Sequence, residues 1–305
     1  GRCRWGIEGA WNLGRGLAQH LVGAGEAVYE VNPRWTAEGR RRARRAEKSD
    51  RLDARAVALF VWREAVALPP VEADDDTSTL DLLVTERDDL VAEATRLRNQ
   101  LHQLLLQLDA DYRHRIPSLM SKRGVLAVLG YATDDVRPIQ QERAGVVRRL
   151  ALRLQLVVEQ AEELARRIEG LTATRFVPLT GICGIRLLTA GALAGILGPG
   201  LRFSSDAQIA AYAGAAPLEA SSAERVRHRL DRGGNRRLNA ILYRVAITQA
   251  RCSAEARAYL ARRVGEGKTK REALRALKRF IVRAIWRRWQ ECGAAPATTA
   301  TSLAA

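Results

Sequence analysis

The stretch CRWGIEGAWNLGRGLAQHLVGAGEAVYEVNP, residues 3–33, decides the fold class of the N-terminal region. The short run at 4–7 predicts a strand that ends at Glu8, and the apolar spacing from Leu13 to about Gly23 predicts a helix. A second strand, EAVYEV at 26–31, is closed by Asn32-Pro33, a strong stop signal. Strand, helix and strand at this spacing form a βαβ unit. After it, a basic run RRRARR at 40–45 precedes a helix starting near Ser49. Ser49 can cap that helix, Asp50 favours its first turn, and Val57, Phe60 and Val61 give it an apolar face. Residues 1–70 therefore read as α/β.

The Pro-bearing acidic segment PVEADDD follows, and residues 71–77 form a linker. Beyond it the pattern changes to heptads. Leu83, Leu90, Leu97 and Leu104 recur every seven residues, with Leu101 and Leu108 between them, which predicts a long helix over 78–113. Leu150, Leu154, Val157, Ala161, Leu164 and Ile168 form a second a/d seam. Two such helices, separated by the Pro/Gly-bearing stretch 116–137, make either an antiparallel hairpin or a dimeric coiled coil within residues 78–170. The reading of this region is structural, a spacer or dimerisation arm.

Residues 171–292 read as a helical domain. Gly181 and Gly184 stand ahead of an apolar helix that runs to about Gly198, as in helix-hairpin-helix elements. Such a turn either serves packing alone or lets backbone amides approach a phosphate. The segment 293–305, GAAPATTATSLAA, is of low complexity and reads as a disordered tail. The fold class is thus α/β plus mainly α.

Charge narrows the partner. The chain of 305 residues carries 50 Lys+Arg against 34 Asp+Glu, a formal +16, and has no apolar run able to span a bilayer, so nucleic acid is favoured over membrane. From Ser222 to Gln290 there are 20 Lys+Arg and 5 Asp+Glu, so nearly all the excess lies in this one segment. Cys3, Cys183, Cys252 and Cys292 lack paired spacing and read as reduced thiols of a cytoplasmic protein, with neither a zinc site nor a disulfide framework.

Chemistry-bearing residues lie at both ends. Ser221 and Ser222 immediately precede the basic run, where Arg225, Arg227 and Arg229 alternate and Arg232, Arg236 and Arg237 follow. A serine attacking phosphorus needs such a clamp on the non-bridging oxygens. His228 is the one imidazole nearby and suits a solvated or phosphate-contacting role. Asp50 and Asp53, three apart on one helix face, and Glu8 at a strand end can offer oxygen ligands to Mg²⁺. The alternative is that the two aspartates complement the helix dipole and pair with Arg51 or Arg55.

In order along the chain, IEGAWNLGRGLAQHL with AVYEVNP, KSDRLDAR, GICGIRLLTA with RFSSDAQIAAYAGAAP, and SSAERVRHRLDRGGNRRLNAIL resemble one family. It is that of the bacterial insertion-sequence transposases, which join a RuvC-like DEDD domain to a C-terminal serine-bearing transposase domain and include the Piv-type DNA invertases and bridge-RNA-guided recombinases. The resemblance implies a partial RuvC-like, RNase H-like βαβ domain, coiled-coil helices and a helical transposase domain. It makes Glu8, Asp50 and Asp53 metal-binding acids and Ser222 the nucleophile. It further implies Mg²⁺ as cofactor, DNA and a structured guide RNA as partners, and a homodimer formed through the coiled coil with composite sites. Ala223 stands where the family has glycine, and the family's first aspartate lies upstream of Glu8.

Three functions follow as expectations. One is a transposase present as an N-terminally truncated copy, another a catalytically inactive remnant that still binds nucleic acid through its basic C-terminal half, and the third a RuvC-like junction nuclease in which the serine is incidental.

Overall fold

The computed structural model describes residues 3–33, 50–65, 68, 70–198, 202–216, 218–219, 228–229 and 234–293, the two dipeptide strands by backbone alone. The chain divides into two compact units, residues 80–174 and the remainder on either side.

In the discontinuous unit, β1 (Arg4–Glu8) and β2 (Ala27–Val31) pair in parallel, joined by α1 (Arg15–Gly23). The helix begins two residues later than its apolar spacing suggests, because residues 9–14 form turns and leave Leu13 fully exposed. Ile7, Ala10, Ala18, Val28 and Val71 make one core. On the other side, Val31, Val57, Val61, Ala65 and Leu68 make a second with α2 (Asp50–Glu64). The sheet is thus covered on both faces. Gly6 permits this, since a Cβ there would stand 2.4 Å from Cγ2 of Val61 and 2.8 Å from Cγ1 of Val57. The segment expected to be a linker is packed rather than free at its start: Val71 is buried and its N–H donates to the Val28 carbonyl (2.8 Å).

The C-terminal part of the same unit contains a 3-10 turn (Val177–Gly181), α7 (Leu187–Leu197), α8 (Asp206–Tyr212), α9 (Arg236–Cys252), α10 (Ala254–Gly265) and α11 (Lys270–Gly293). α11 is its spine. Ala273, Leu277, Ile281, Val282, Ile285, Trp289 and Cys292 bury one face of it, and Trp289 stacks on Phe176 with ring centroids 5.6 Å apart. The region is not wholly helical as expected. Two dipeptide strands, β3 (Leu218–Glu219) and β4 (His228–Arg229), pair antiparallel. Strands this short carry no usable period-2 pattern, and for that reason the sequence reads as loop.

The second unit holds α3 (Asp76–Leu108), α4 (Tyr112–Arg115), α5 (Lys122–Leu129) and α6 (Pro138–Arg175). The choice left by the heptads resolves within one chain. Leu97, Leu101 and Leu105 of α3 share a core with Val147, Ala151, Leu154 and Val157 of α6. Arg153 pairs with Glu93 (3.0 Å) and Gln140 Nε2 donates to the Gln107 carbonyl (3.4 Å), so the residue numbers run in opposite directions and the helices are antiparallel. α3 stops at Leu108 rather than near 113. Asp109 accepts the Asp111 N–H (2.9 Å), turning the chain so that Tyr112 and Ile116 cap the core. The stretch 116–137 is not merely a connector: α5 starts at Ser121, whose Oγ accepts the Gly124 N–H (3.0 Å), and its Val125 and Val128 join the same core. The tail expected to be disordered lies outside the described residues from position 294 onward.

Candidate functional site

Ser222 lies outside the described residues, as do Ser221, Arg225, Arg227 and Arg232, while Arg229 is described in backbone only as part of β4. What holds this segment is well defined. Gly214 has φ +63°, and a Cβ on Gly234 would stand 2.2 Å from Gly214 N, so two backbones touch where only glycine fits. The Asn235 N–H donates to the Tyr212 carbonyl (2.7 Å), and the β3–β4 ladder sits inside this closure. Gly214 and Gly234, which flank Ser222 in the sequence, are therefore held against each other.

Asparagines lock the base to the helices. Asn235 caps α9 by accepting the Leu238 N–H (2.9 Å) while its Nδ2 donates to the Tyr212 hydroxyl (2.9 Å). Asn239 Nδ2 donates to the Ala213 carbonyl (2.8 Å), and its Oδ1 accepts from Lys278 Nζ (2.7 Å). Lys278 is buried beside the Tyr243 ring, and that burial pulls its ammonium below the ordinary lysine range.

Tyr212 also ties this base to the N-terminal sheet. Arg202 lies over Trp11, Phe203 and Tyr212, with its guanidinium carbon 5.0, 5.3 and 4.9 Å from the ring centroids. It donates to the Ile196 carbonyl (3.1 Å) and the Tyr212 hydroxyl (3.3 Å), and its Nη2 stands 3.6 Å from Glu30 Oε2. Burial raises the Glu30 carboxyl above its usual value, with Arg202 opposing.

The expected metal-binding acids sit on neighbouring elements. Glu8 ends β1, and strand alternation puts it on the face of Gly6, the one α2 covers; Asp50 and Asp53 occupy the first turn of α2. Their oxygens suit a hard divalent ion. Among the described residues, however, no group of three or more His, Cys, Asp or Glu side chains is already gathered to share one.

Basic side chains gather on α9 and α11. Arg236 is exposed and Arg237 half-buried in the first turn of α9, where the helix dipole disfavours cations. On α11, Arg271, Arg275, Arg279, Arg283 and Arg287 recur every four residues, a row about 24 Å long at ~1.5 Å per residue. Asp206 faces its middle, 2.6 Å from Arg279 and 3.5 Å from Arg283, and Glu272 lies 3.8 Å from Arg275. At its far end a groove of about 440 Å³ is lined by Arg287, Arg288, Glu291, Gly181 and Ile182. The glycine turn expected to approach phosphate therefore opens beside the arginine row. Gly184 (φ +90°) also packs on α9, since a Cβ there would meet Thr248 at 3.2 Å, and Gln249 Nε2 donates to the Cys183 carbonyl (2.9 Å).

Glu30, Arg202, Tyr212, Asn235, Asn239 and Lys278 were not singled out by sequence reasoning. Their signal was present only as Arg202-Phe203, Tyr212 before the glycine, and Gly-Gly-Asn within the quoted motifs, with nothing to say that they meet.

Residues 178–261 match the model of the transposase IS116/IS110/IS902 family, and residues 1–109 match the DEDD-type IS110 transposase model. Both models describe transposases of the IS110/IS116 type, and between them they match 193 of the 305 residues of this chain. It is 28% identical over 275 residues to the uncharacterised 43.6 kDa protein of insertion element IS110 from Streptomyces coelicolor, covering 76% of this chain and 68% of that one. It is 27% identical over 215 residues to the transposase for insertion sequence element IS1328 from Yersinia enterocolitica, covering 68% and 58% respectively. To the uncharacterised 44.8 kDa protein of insertion element IS116 from Streptomyces clavuligerus it is 26% identical over 326 residues, 93% and 81%. These matches point to DNA as the partner and transposition as the process. Among the described residues no helix is long and apolar enough to cross a membrane.

Proposed function

We propose that this chain cuts and rejoins DNA through Ser222, which lies between Gly214 and Gly234 in the sequence. The Gly214–Gly234 contact is the observation that supports the reading, because it brings together the two stretches that flank Ser222 in the sequence, and a nucleophile must be held close to its line of attack. The Ser222 hydroxyl loses its proton to water, its Oγ bonds to phosphorus, and the P–O3′ bond breaks with O3′ taking a proton from water, to leave a 5′-phosphoserine and a free 3′ hydroxyl. Arg225, Arg227, Arg229, Arg232, Arg236 and Arg237 neutralise the non-bridging oxygens. Glu8, Asp50 and Asp53 would hold Mg²⁺, which would supply Lewis-acid stabilisation of phosphoryl oxygens. Sequence choice rests on an element-encoded RNA, the helical arm pairs two copies, and the protein works in the cytoplasm.

The test combines the chain with element-end DNA, the element transcript and Mg²⁺. A covalent protein–DNA adduct is expected from the parent, and none from Ser222→Ala. Equal adduct from both removes the serine from the mechanism.

The arginine row on α11 favours a second reading, since it needs no metal and no serine to bind. A protein of this kind binds nucleic acid with strong salt dependence and never forms the adduct.

A further inference from the structure

We infer that Arg202 is a positioning residue that carries the base of the serine segment as a rigid extension of the acid-bearing sheet, through the path Glu30, Arg202, Tyr212, Asn235. The inference rests on the reading of Ser222 as nucleophile, but its geometry is independent of it.

The path crosses from β2 to α8 and on to the start of α9. Glu30 belongs to β2, and its register partner Ile7 places it on the α1 face of the sheet. Trp11, in the turn after β1, supplies one wall of the arginine's cage. Phe203 and Tyr212 supply the others, so the guanidinium is enclosed by rings from both ends of the chain. Its side chain is only 10% exposed. A guanidinium meets this site more fully than an ammonium can, because three rings, a carbonyl, a hydroxyl and a carboxylate are met at once by a planar fork of N–H donors. Tyr212 then passes the constraint on: its hydroxyl accepts from both Arg202 and Asn235, and its carbonyl accepts the Asn235 N–H. Asn235 follows the Gly234 that closes the serine segment.

The consequence is mechanical. Movement of the base relative to the sheet must break an ion pair and unstack a largely desolvated cation, so the base and the sheet move together. Whether the acids that meet Ser222 belong to the same chain or to a second copy, their placement is set by this junction. A contact that only stabilised the fold would act on the amount of folded protein; a positioning contact acts on the rate of adduct formation in the bound complex.

The experiment compares the full-length parent with Arg202→Lys, Arg202→Gln, Glu30→Gln, Tyr212→Phe and the double variant Glu30→Gln/Arg202→Gln. The readouts are single-turnover Ser222–DNA adduct formation at saturating DNA with the element transcript and Mg²⁺, DNA affinity, and amide hydrogen exchange at Asn235. Arg202→Gln and Glu30→Gln are expected to slow adduct formation by ~10- to 100-fold, with affinity changed by less than about twofold. The double variant is expected to be no slower than the worse single one, Arg202→Lys to recover part of the rate, and Tyr212→Phe to quicken exchange at Asn235. Arg202→Gln with both the adduct rate and the Asn235 exchange unchanged overturns the inference. A parent that forms no Ser222-dependent adduct overturns the serine reading instead, and exchange at Asn235 then decides the junction alone.

Discussion

Arg202 stands 3.6 Å from Glu30 although the two lie in different domains of the sequence, one after α7 and the other in β2. The pair joins the segments matched by the two family models, residues 1–109 and 178–261. Together with the rings around it, this contact makes a discontinuous unit out of the two ends of the chain.

Glu30 gives the junction a pH signature. Burial lifts its folded pKa above 4.5, and Arg202 only partly opposes this. A raised folded pKa contributes stability that is fully present below about pH 4.5 and is lost as pH rises through the folded value. Thermal unfolding of the parent and of Glu30→Gln across pH 4 to 7 should therefore show the parent losing ground to the variant as pH rises. The reverse trend would mean that Arg202 outweighs burial.

Gly234→Ala should be more damaging than Gly6→Ala. At position 6 the new methyl meets the tips of Val61 and Val57, which can shift, and overpacking of this kind costs about 1–3 kcal/mol. At position 234 it meets the Gly214 backbone, which has no side chain to rotate away. Denaturant titration should place Gly6→Ala in that range with recovery on adding Val61→Ala. Gly234→Ala should destabilise further and abolish Ser222-dependent adduct.

Removing arginines from the α11 row should weaken nucleic-acid binding without regard to sequence. Each guanidinium taken off a phosphate lowers the slope of log K against log salt by about 1. Arg283→Ala and Arg287→Ala, measured by anisotropy across a salt series, should each show this. A drop in affinity with an unchanged slope would take the row off the interface.

Thiol reactivity should separate the cysteines. Cys292 is buried and its pKa is pushed up to about 11 by that burial, whereas Cys3, Cys183 and Cys252 are exposed. Alkylation of the native protein near pH 8 followed by mass spectrometry should modify the three exposed thiols and spare Cys292 until the protein unfolds.

Much of the architecture was legible from local pattern. The βαβ unit in 3–33 and the two heptad helices follow from periodicities of 2 and 3.5 that single segments display by themselves. What those patterns could not supply was the partner of the leucine seam. Leu101 and Leu154 fit a dimer as well as a hairpin, and the turn at 109–112 with α5 behind it makes the hairpin. The strands β3 and β4 were unreadable because two residues have no period. The candidate site divides the same way: Ser222, Glu8, Asp50 and Asp53 carry chemistry that motif order can flag, whereas Arg202, Asn239 and Lys278 matter only through what they touch.

By itself the sequence determined the class of each segment, the concentration of positive charge toward the C-terminus, and the order of motifs that carries the resemblance to insertion-sequence transposases. Each of these depends on residues close together in the chain. Only the tertiary structure decided that the two ends form one unit, that a caged arginine joins them, and that Gly214 and Gly234 close the base of the serine segment. These depend on pairs such as Glu30 and Arg202 or Gly214 and Gly234, whose meeting is set by packing rather than by any local preference of the residues involved.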